Sequence, residues 1–411
     1  MIGWIHGCAR DTGRGLQGRE RVVNRIMRVC LALALSGAVG TIAGCGGGDP
    51  DVGASPVRIG AVLSLTGTYA ALGESEKQAL ELEVERINAA GGIDGVPVEI
   101  IIEDDATDEA KAVAAASKLI EQDRVVALIA ATGTGQTMAM RGDVDRAGIA
   151  QVSMAGGTVV TADFNQNVFQ TPWSNTLVVP FVLERIAADG HSRIALLTDS
   201  GGYGKDGRDV IRGAVGDADL KIVADETFNP GDADLTAQLT RIKGSQADAV
   251  LMWTAGREAA VAVRSARELG MALPFYGGSG QARTEFIEGA GDAAEGFVFG
   301  TGKSLVPANW GEGSEQYAVV DDFASRYEQA YGARPDIFAG HAFDAFSIVI
   351  AALKGVGTDA TPAELRDAIE QTEDLVGFGG VFTFSPTDHN GLTADDLNLY
   401  RVEGGTWVPV R

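Results

Sequence analysis

The stretch Ala127–Met140, "ALIAATGTGQTMAM", sets a Thr- and Gly-rich loop between an apolar run and a helix-like segment. Hydroxyls and free backbone N–H groups at a helix N-terminus suit a small anion such as a carboxylate. This loop has no Lys after its glycine and no Gly-x-Gly-x-x-Gly, so it is a poor nucleotide cradle. "SMAGGT", Ser153–Thr158, closes the next strand with small residues that let a ligand approach the backbone. In "TDSGGYGKDGR", Thr198–Arg208, Tyr203 stands between glycines, where an aromatic can face a cleft. For each of these an ordinary turn or a surface Tyr is the plain alternative. The acids of "EDDATDEA" read as a strand end and a helix start rather than a metal site. His191, His341 and His389 have no metal-ligand spacing, and "GGSGQ", Gly277–Gln281, misses the Gly-x-Ser-x-Gly elbow by its last residue. No nucleophile with its base emerges, so the sequence points to binding without catalysis, cofactor or metal.

The surrounding pattern says what holds these loops. Buried-strand runs ("VRIGAVLSL", "VPVEIII", "VVALIA", "IAQVSM") alternate with helical stretches, such as the one aligning Leu80, Val84 and Ile87. The alternation restarts after "QTPWSNT" with "SRIALLT", "LKIVADETF", "ADAVLMW" and "LPFYGG". Strands alternating with helices of this length predict parallel sheets with helical crossovers. Two long helices follow, one with Tyr317, Val320, Ala324, Tyr327 and Tyr331 on one face, the other with Phe343, Phe346, Ile350 and Leu353. Short strands ("GVFTFSP", "LNLYRV", "TWVPV") end the chain. The fold class is α/β, with two doubly wound units. In open sheets of this kind ligands sit beyond the carboxyl ends of the strands, where both Thr-rich loops lie.

The 411 residues exceed one average domain, and a net charge of −23 argues against nucleic acid. Arg25 and Arg28 precede an apolar run, Val29–Cys45, that is shorter than the roughly 20 residues of a membrane span. Its end, Ile42-Ala43-Gly44-Cys45, has the form of a bacterial lipobox, with Cys45 as the lipidated residue. Residues 1–44 read as a signal peptide, with Met27 as an alternative start, and 45–56 as lipidated Cys plus flexible tether. An ordinary signal peptide with an incidental Cys is the alternative. Cys8, Cys30 and Cys45 are the only cysteines, so the body holds neither a disulfide nor a Cys site.

Several stretches in order ("IGAVLSLTGTYAALGES", "INAAGGIDGVPVEIIIEDDATDEAKAV", "TDSGGYGKDG", "AVLMWTAGREAAVAVRSARELGM", "AFDAFSIVIAAL", "GFGGVFTFSPTDHNG") resemble the periplasmic substrate-binding proteins of branched-chain amino acid importers of the ABC type. The resemblance runs from about Val57 to the C-terminus. It implies two lobes joined by a hinge of three chain crossings, closing on a ligand. Lobe one would be 57–173 plus 302–375; lobe two, 174–301 plus 376–411. It implies that Gly133 and Thr134, with Ala155, Gly156 and Thr158, hold a ligand carboxylate. Tyr203 would be an aromatic from lobe two, and Tyr69 or Leu72 would shape a side-chain pocket. Where amino-acid binders of this group carry an acid for the ligand ammonium, Ser279 stands, and a buried ammonium without its anion is costly. The implied partners are a small amino acid or other carboxylate, an ABC permease and a membrane reached through the lipid. A monomer on the periplasmic or extracellular face is expected. A ligand sensor with the same trap is the alternative role, and an α/β enzyme the remoter one.

Overall fold

The computed structural model describes residues 55–410. Cys45 and the tether lie outside that range.

The first unit runs β1 (Val57–Leu63), α1 (Ala70–Ala89), β2 (Val98–Asp104), α2 (Glu109–Lys118), β3 (Ala127–Ala130), α3 (Thr134–Ala147), β4 (Ala150–Ser153), α4 (Val159–Ala162) and β5 (Val168–Gln170). Its five strands are parallel, in the order β2-β1-β3-β4-β5. The central strands are apolar on both faces because helices cover both, as a parallel sheet requires. The acids of "EDDATDEA" are taken up by the backbone. Asp104 Oδ1 accepts from the N–H groups of Leu65, Thr66 and Ala106, and Asp108 caps α2 by accepting from Lys111 N–H at 2.9 Å.

The second unit runs α5 (Asn175–Ala188), β6 (Arg193–Asp199), α6 (Gly202–Ala214), β7 (Lys221–Phe228), α7 (Thr236–Lys243), β8 (Ala249–Trp253), α8 (Glu258–Glu268), β9 (Phe275–Gly277), α9 (Thr284–Ala290) and β10 (Val298–Gly302). The chain then forms α10 (Glu315–Tyr331), α11 (Ile337–Val356), α12 (Pro362–Glu370), β11 (Leu375–Val376), β12 (Val381–Phe382), β13 (Leu397–Glu403) and β14 (Thr406–Pro409). The second sheet has the order β14-β13-β10-β9-β8-β6-β7, parallel except for β13 and β14 at one edge.

The alternation read from the sequence therefore appears as two doubly wound sheets. α11 packs along α1, and its expected face is buried, but so is most of its circumference. Asp344, at its middle, is fully buried and accepts the N–H groups of Phe378 and Gly379, the latter at 2.7 Å. Tyr331, expected on the buried face of α10, ends up 37% exposed in the last turn, its hydroxyl donating to the Gln78 carbonyl. "GVFTFSP" does not join the second sheet. β11 and β12 form their own antiparallel ribbon, and the chain after it stays beside the first sheet. Gln170 N–H donates to the His389 carbonyl at 2.9 Å, and Asn390 Nδ2 to the Pro172 carbonyl at 2.7 Å.

Candidate ligand-binding site

Between the two sheets, at the carboxyl ends of their strands, lies a cavity. Of the residues singled out in the sequence, Tyr69, Leu72, Gly133, Thr134, Gly156, Tyr203 and Ser279 line it. Thr134 is the first residue of α3. The N-cap, Gly133, has no side chain to cap the helix, so the first-turn N–H groups face the cavity end uncapped. Thr134 is 2% exposed, and its Oγ1 has no hydrogen-bond partner among the described residues. Gly157 allows this placement, since a Cβ there would sit 2.7 Å from Thr134 Oγ1 and 2.4 Å from its methyl.

Ala155 and Thr158, expected at the ligand, are not among the residues that line the cavity, and their polar groups are engaged elsewhere. Gln170, fifteen residues further on, donates its Nε2 to the carbonyls of Ala155 (2.7 Å) and Gly157 (2.9 Å). Ala155 N–H is held by Ser153 Oγ at 3.1 Å. Thr158 turns to the opposite unit: its N–H donates to Asp206 Oδ2 at 2.7 Å, and its hydroxyl accepts from Thr176 N–H. With Val159 N–H also on Asp206 at 3.1 Å, one carboxylate of α6 caps the start of α4 across the cleft.

α6 begins at Gly202, earlier than its Gly-rich sequence suggests, because Asp199 Oδ1 takes the Gly201 N–H at 2.8 Å and turns the chain. Tyr203 thus belongs to a helix, 9% exposed, stacked on Trp253 with ring centroids 6.2 Å apart. Residues 202–207 spell Gly-x-Gly-x-x-Gly, yet packing accounts for the three glycines. A Cβ at Gly204 would meet the Asp199 carbonyl, one at Gly207 the Trp253 ring, and one at Gly202 the Gly135 nitrogen at 2.5 Å. The last contact sets the N-termini of α3 and α6 against each other. Both helix starts border the cavity, through Thr134 and Tyr203, which favours an anion there.

Nine other lining residues were not singled out in the sequence, among them Trp173, Phe338 and His341. Trp173 belongs to "QTPWSNT", which reads only as a restart of the pattern. His341 stands inside an apolar helix, one residue before the "AFDAF" motif. Burial alone pushes its imidazole down to about 3, so it is neutral at neutral pH. Among the described residues, no Asp, Glu, Lys or Arg lines the cavity. Glu76 stands behind Thr132, whose hydroxyl donates to it, and is itself pushed well up by burial.

Residues 56–406 match the family described as Periplasmic binding protein. The chain belongs to that family. Family and fold make it an extracytoplasmic solute-binding protein and not an enzyme. It is 26% identical over 357 residues to Leu/Ile/Val-binding protein homolog 3 of Brucella melitensis, covering 86% of this chain and 93% of that one. An extracellular ligand-binding receptor from Rhodopseudomonas palustris superposes with a TM-score of 0.81 at 25% identity, over 86% of this chain and 99% of its own. The branched-chain amino acid transporter substrate binding protein LivJ from Streptococcus pneumoniae, solved with isoleucine, gives 0.77 at 28% identity, covering 86% and 99%. The periplasmic binding fold thus accounts for both sheets.

Proposed function

We propose that this periplasmic binding protein is the capture component of an ABC importer. It holds a small carboxylate-bearing ligand between its lobes and passes it to a membrane permease. The observation that carries the reading is Thr134 Oγ1. It is a buried hydroxyl without a partner among the described residues, at an uncapped helix start that abuts a second helix start beside a cavity lined by none of their charged side chains. Buried polar atoms are nearly always paired, so an orphan on a cavity wall marks a ligand contact. The relatives named for Leu, Ile and Val support an amino acid or a similar carboxylate.

The lobes on this reading are 57–173 with 302–391 and 174–301 with 397–410. The third crossing then falls between Gly391 and Leu397 rather than at 376, which agrees with the bonds of His389 and Asn390 to the first unit. Lipid on Cys45 would tether a monomer to the membrane, and stable anchoring takes more than one acyl chain. Two measurements test this. Cys45→Ala releases the protein from the membrane fraction; retention there removes the anchor. Calorimetric titration of the mature chain with leucine, 4-methylpentanoate and 3-phenylpropanoate gives binding that Thr134→Val weakens. Affinities unchanged by that substitution remove the loop from the site.

A further inference from the structure

Twelve buried side-chain atoms among the described residues lack a hydrogen-bond partner, and only two of them belong to residues lining the cavity: Thr134 Oγ1 and His341 Nδ1. His341 is 2% exposed, and neither nitrogen of its ring is bonded within the described residues. Its neighbours are apolar ring edges, Trp173 at 5.2 Å and Phe338 at 6.2 Å between centroids. Only its carbonyl is engaged, by the Thr171 hydroxyl at 3.1 Å. A histidine that merely filled this space would leave a polar atom unpaired where Phe or Leu would leave none. The plain explanation by packing therefore accounts for the volume but not for the imidazole.

The rest of the wall restricts what can pair with it. Among the described residues no acid lines the cavity, so a ligand ammonium would be buried without its anion. Leu72, Met154, Trp173 and Phe338 ask for an apolar body. We propose that His341 is the second polar contact of the ligand, and that the ligand is an amine-free carboxylate whose apolar body carries a neutral hydrogen-bonding group, a hydroxyl, oxo or amide. Thr134 and the start of α3 take the carboxylate; His341 takes the neutral group. The imidazole, kept uncharged by burial, offers one donor and one acceptor and so serves any of the three groups. This inference rests on the trap reading of the same cavity and narrows it from carboxylates in general to one class.

The test is calorimetric titration of the mature chain with matched acids of one carbon skeleton: leucine, 4-methylpentanoate, and the 2-hydroxy, 2-oxo and 5-hydroxy forms of that acid, with an amide analogue. Wild type should bind at least one hydroxy, oxo or amide acid about tenfold more tightly than the plain acid, one hydrogen bond's worth, and leucine least of all. His341→Phe should abolish that advantage and leave the plain acid within about threefold; His341→Asn, which keeps a donor and an acceptor, should restore part of it. Leucine as the tightest ligand overturns the inference, as does a His341→Phe loss equal for substituted and plain acids. So does a wild type that ranks all the amine-free acids alike, a result that needs no variant to fold. Thr134→Val separates the two levels. If it weakens every acid while His341→Phe discriminates none, only the present inference fails; if it weakens none, or no acid binds at all, the trap reading fails with it.

Discussion

The two walls of the cavity differ in kind. The first lobe presents polar atoms that lack partners, Thr134 Oγ1 and His341 Nδ1, on helices whose other sides are locked into the core. The second lobe presents the Tyr203 ring, already stacked on Trp253, with the small residues Ala255, Ser279 and Gly280. Among the described residues, the orphaned buried atoms that belong to lining residues are both on the first wall. On the proposed function, recognition falls to the first lobe and covering to the second. Between them lie two junctions. One is the contact of Gly202 with Gly135, and the other is Asp206 reaching the N–H groups of Thr158 and Val159.

The largest break should come from the covering side. Gly202→Val sets a Cβ only 2.5 Å from the Gly135 nitrogen, so closure must stop short or strain the two helix starts. Ligand affinity should fall about a hundredfold, roughly 2.7 kcal/mol, with solution scattering showing a larger radius of gyration at saturating ligand. Affinity and radius both unchanged would mean that this junction does not gate closure. On the recognising side Thr134→Val should cost about 1–3 kcal/mol of binding by leaving a ligand oxygen unpaired. The same change should raise the melting temperature of the ligand-free protein, because it removes a buried hydroxyl with no partner. A lower melting temperature would place the hydroxyl in the fold's own hydrogen bonding. Asp206→Asn should act through the dissociation rate. It leaves one acceptor oxygen where the carboxylate accepts from the N–H groups of Thr158 and Val159 and from Asn175 Nδ2, and turns an N–H toward an N–H, for a loss of about 1–2 kcal/mol. Stopped-flow release that is no faster in this variant would remove Asp206 from the closed-state contacts.

The walls also differ in how far the sequence disclosed them. The strand–helix alternation was legible because buried parallel strands and amphipathic crossovers leave strong periodic patterns, and both sheets follow it. Thr134 was legible because Thr and Gly at a strand–helix junction serve few purposes other than exposing hydroxyl and backbone groups. Ala155 and Thr158 were expected on the same ground and stand elsewhere. The side chains that engage them, Gln170 and Asp206, are 15 and 48 residues away, and no local pattern encodes such a bond. His341 was illegible for the opposite reason. An apolar helix reads as core, and the orphaned nitrogen that singles it out appears only when its surroundings are known. β12 reads like any short strand; its separation from the second sheet depends on the ribbon it forms with β11, which is set by tertiary contacts.

The smallest effect on affinity, and the sharpest on stability, should come from Asp199, which sits beneath the second wall. It is 2% exposed, its Oδ2 has no partner among the described residues, and burial raises its carboxyl to about 6. A carboxyl raised in the folded state binds a proton there that the unfolded chain has already lost, so its contribution is full below about pH 4 and disappears as pH rises through about 6. Ionising it in place costs up to about 3 kcal/mol at pH 7.5, from a shift of roughly two units. Asp199→Asn keeps an acceptor for the Gly201 N–H and removes the charge. The variant should be more stable than wild type at pH 7.5 and nearly equal to it at pH 4, with ligand affinity changed less than about twofold. His341 on the first wall works with the opposite sign. Its lowered value means that stability is lost as pH falls below about 6.5, where the unfolded chain takes up the proton that the buried ring refuses. Denaturant melts of Asp199→Asn and His341→Phe across pH 4–8 should therefore diverge from wild type at opposite ends of the range. Parallel curves would mean that neither group carries its burial as a free-energy cost.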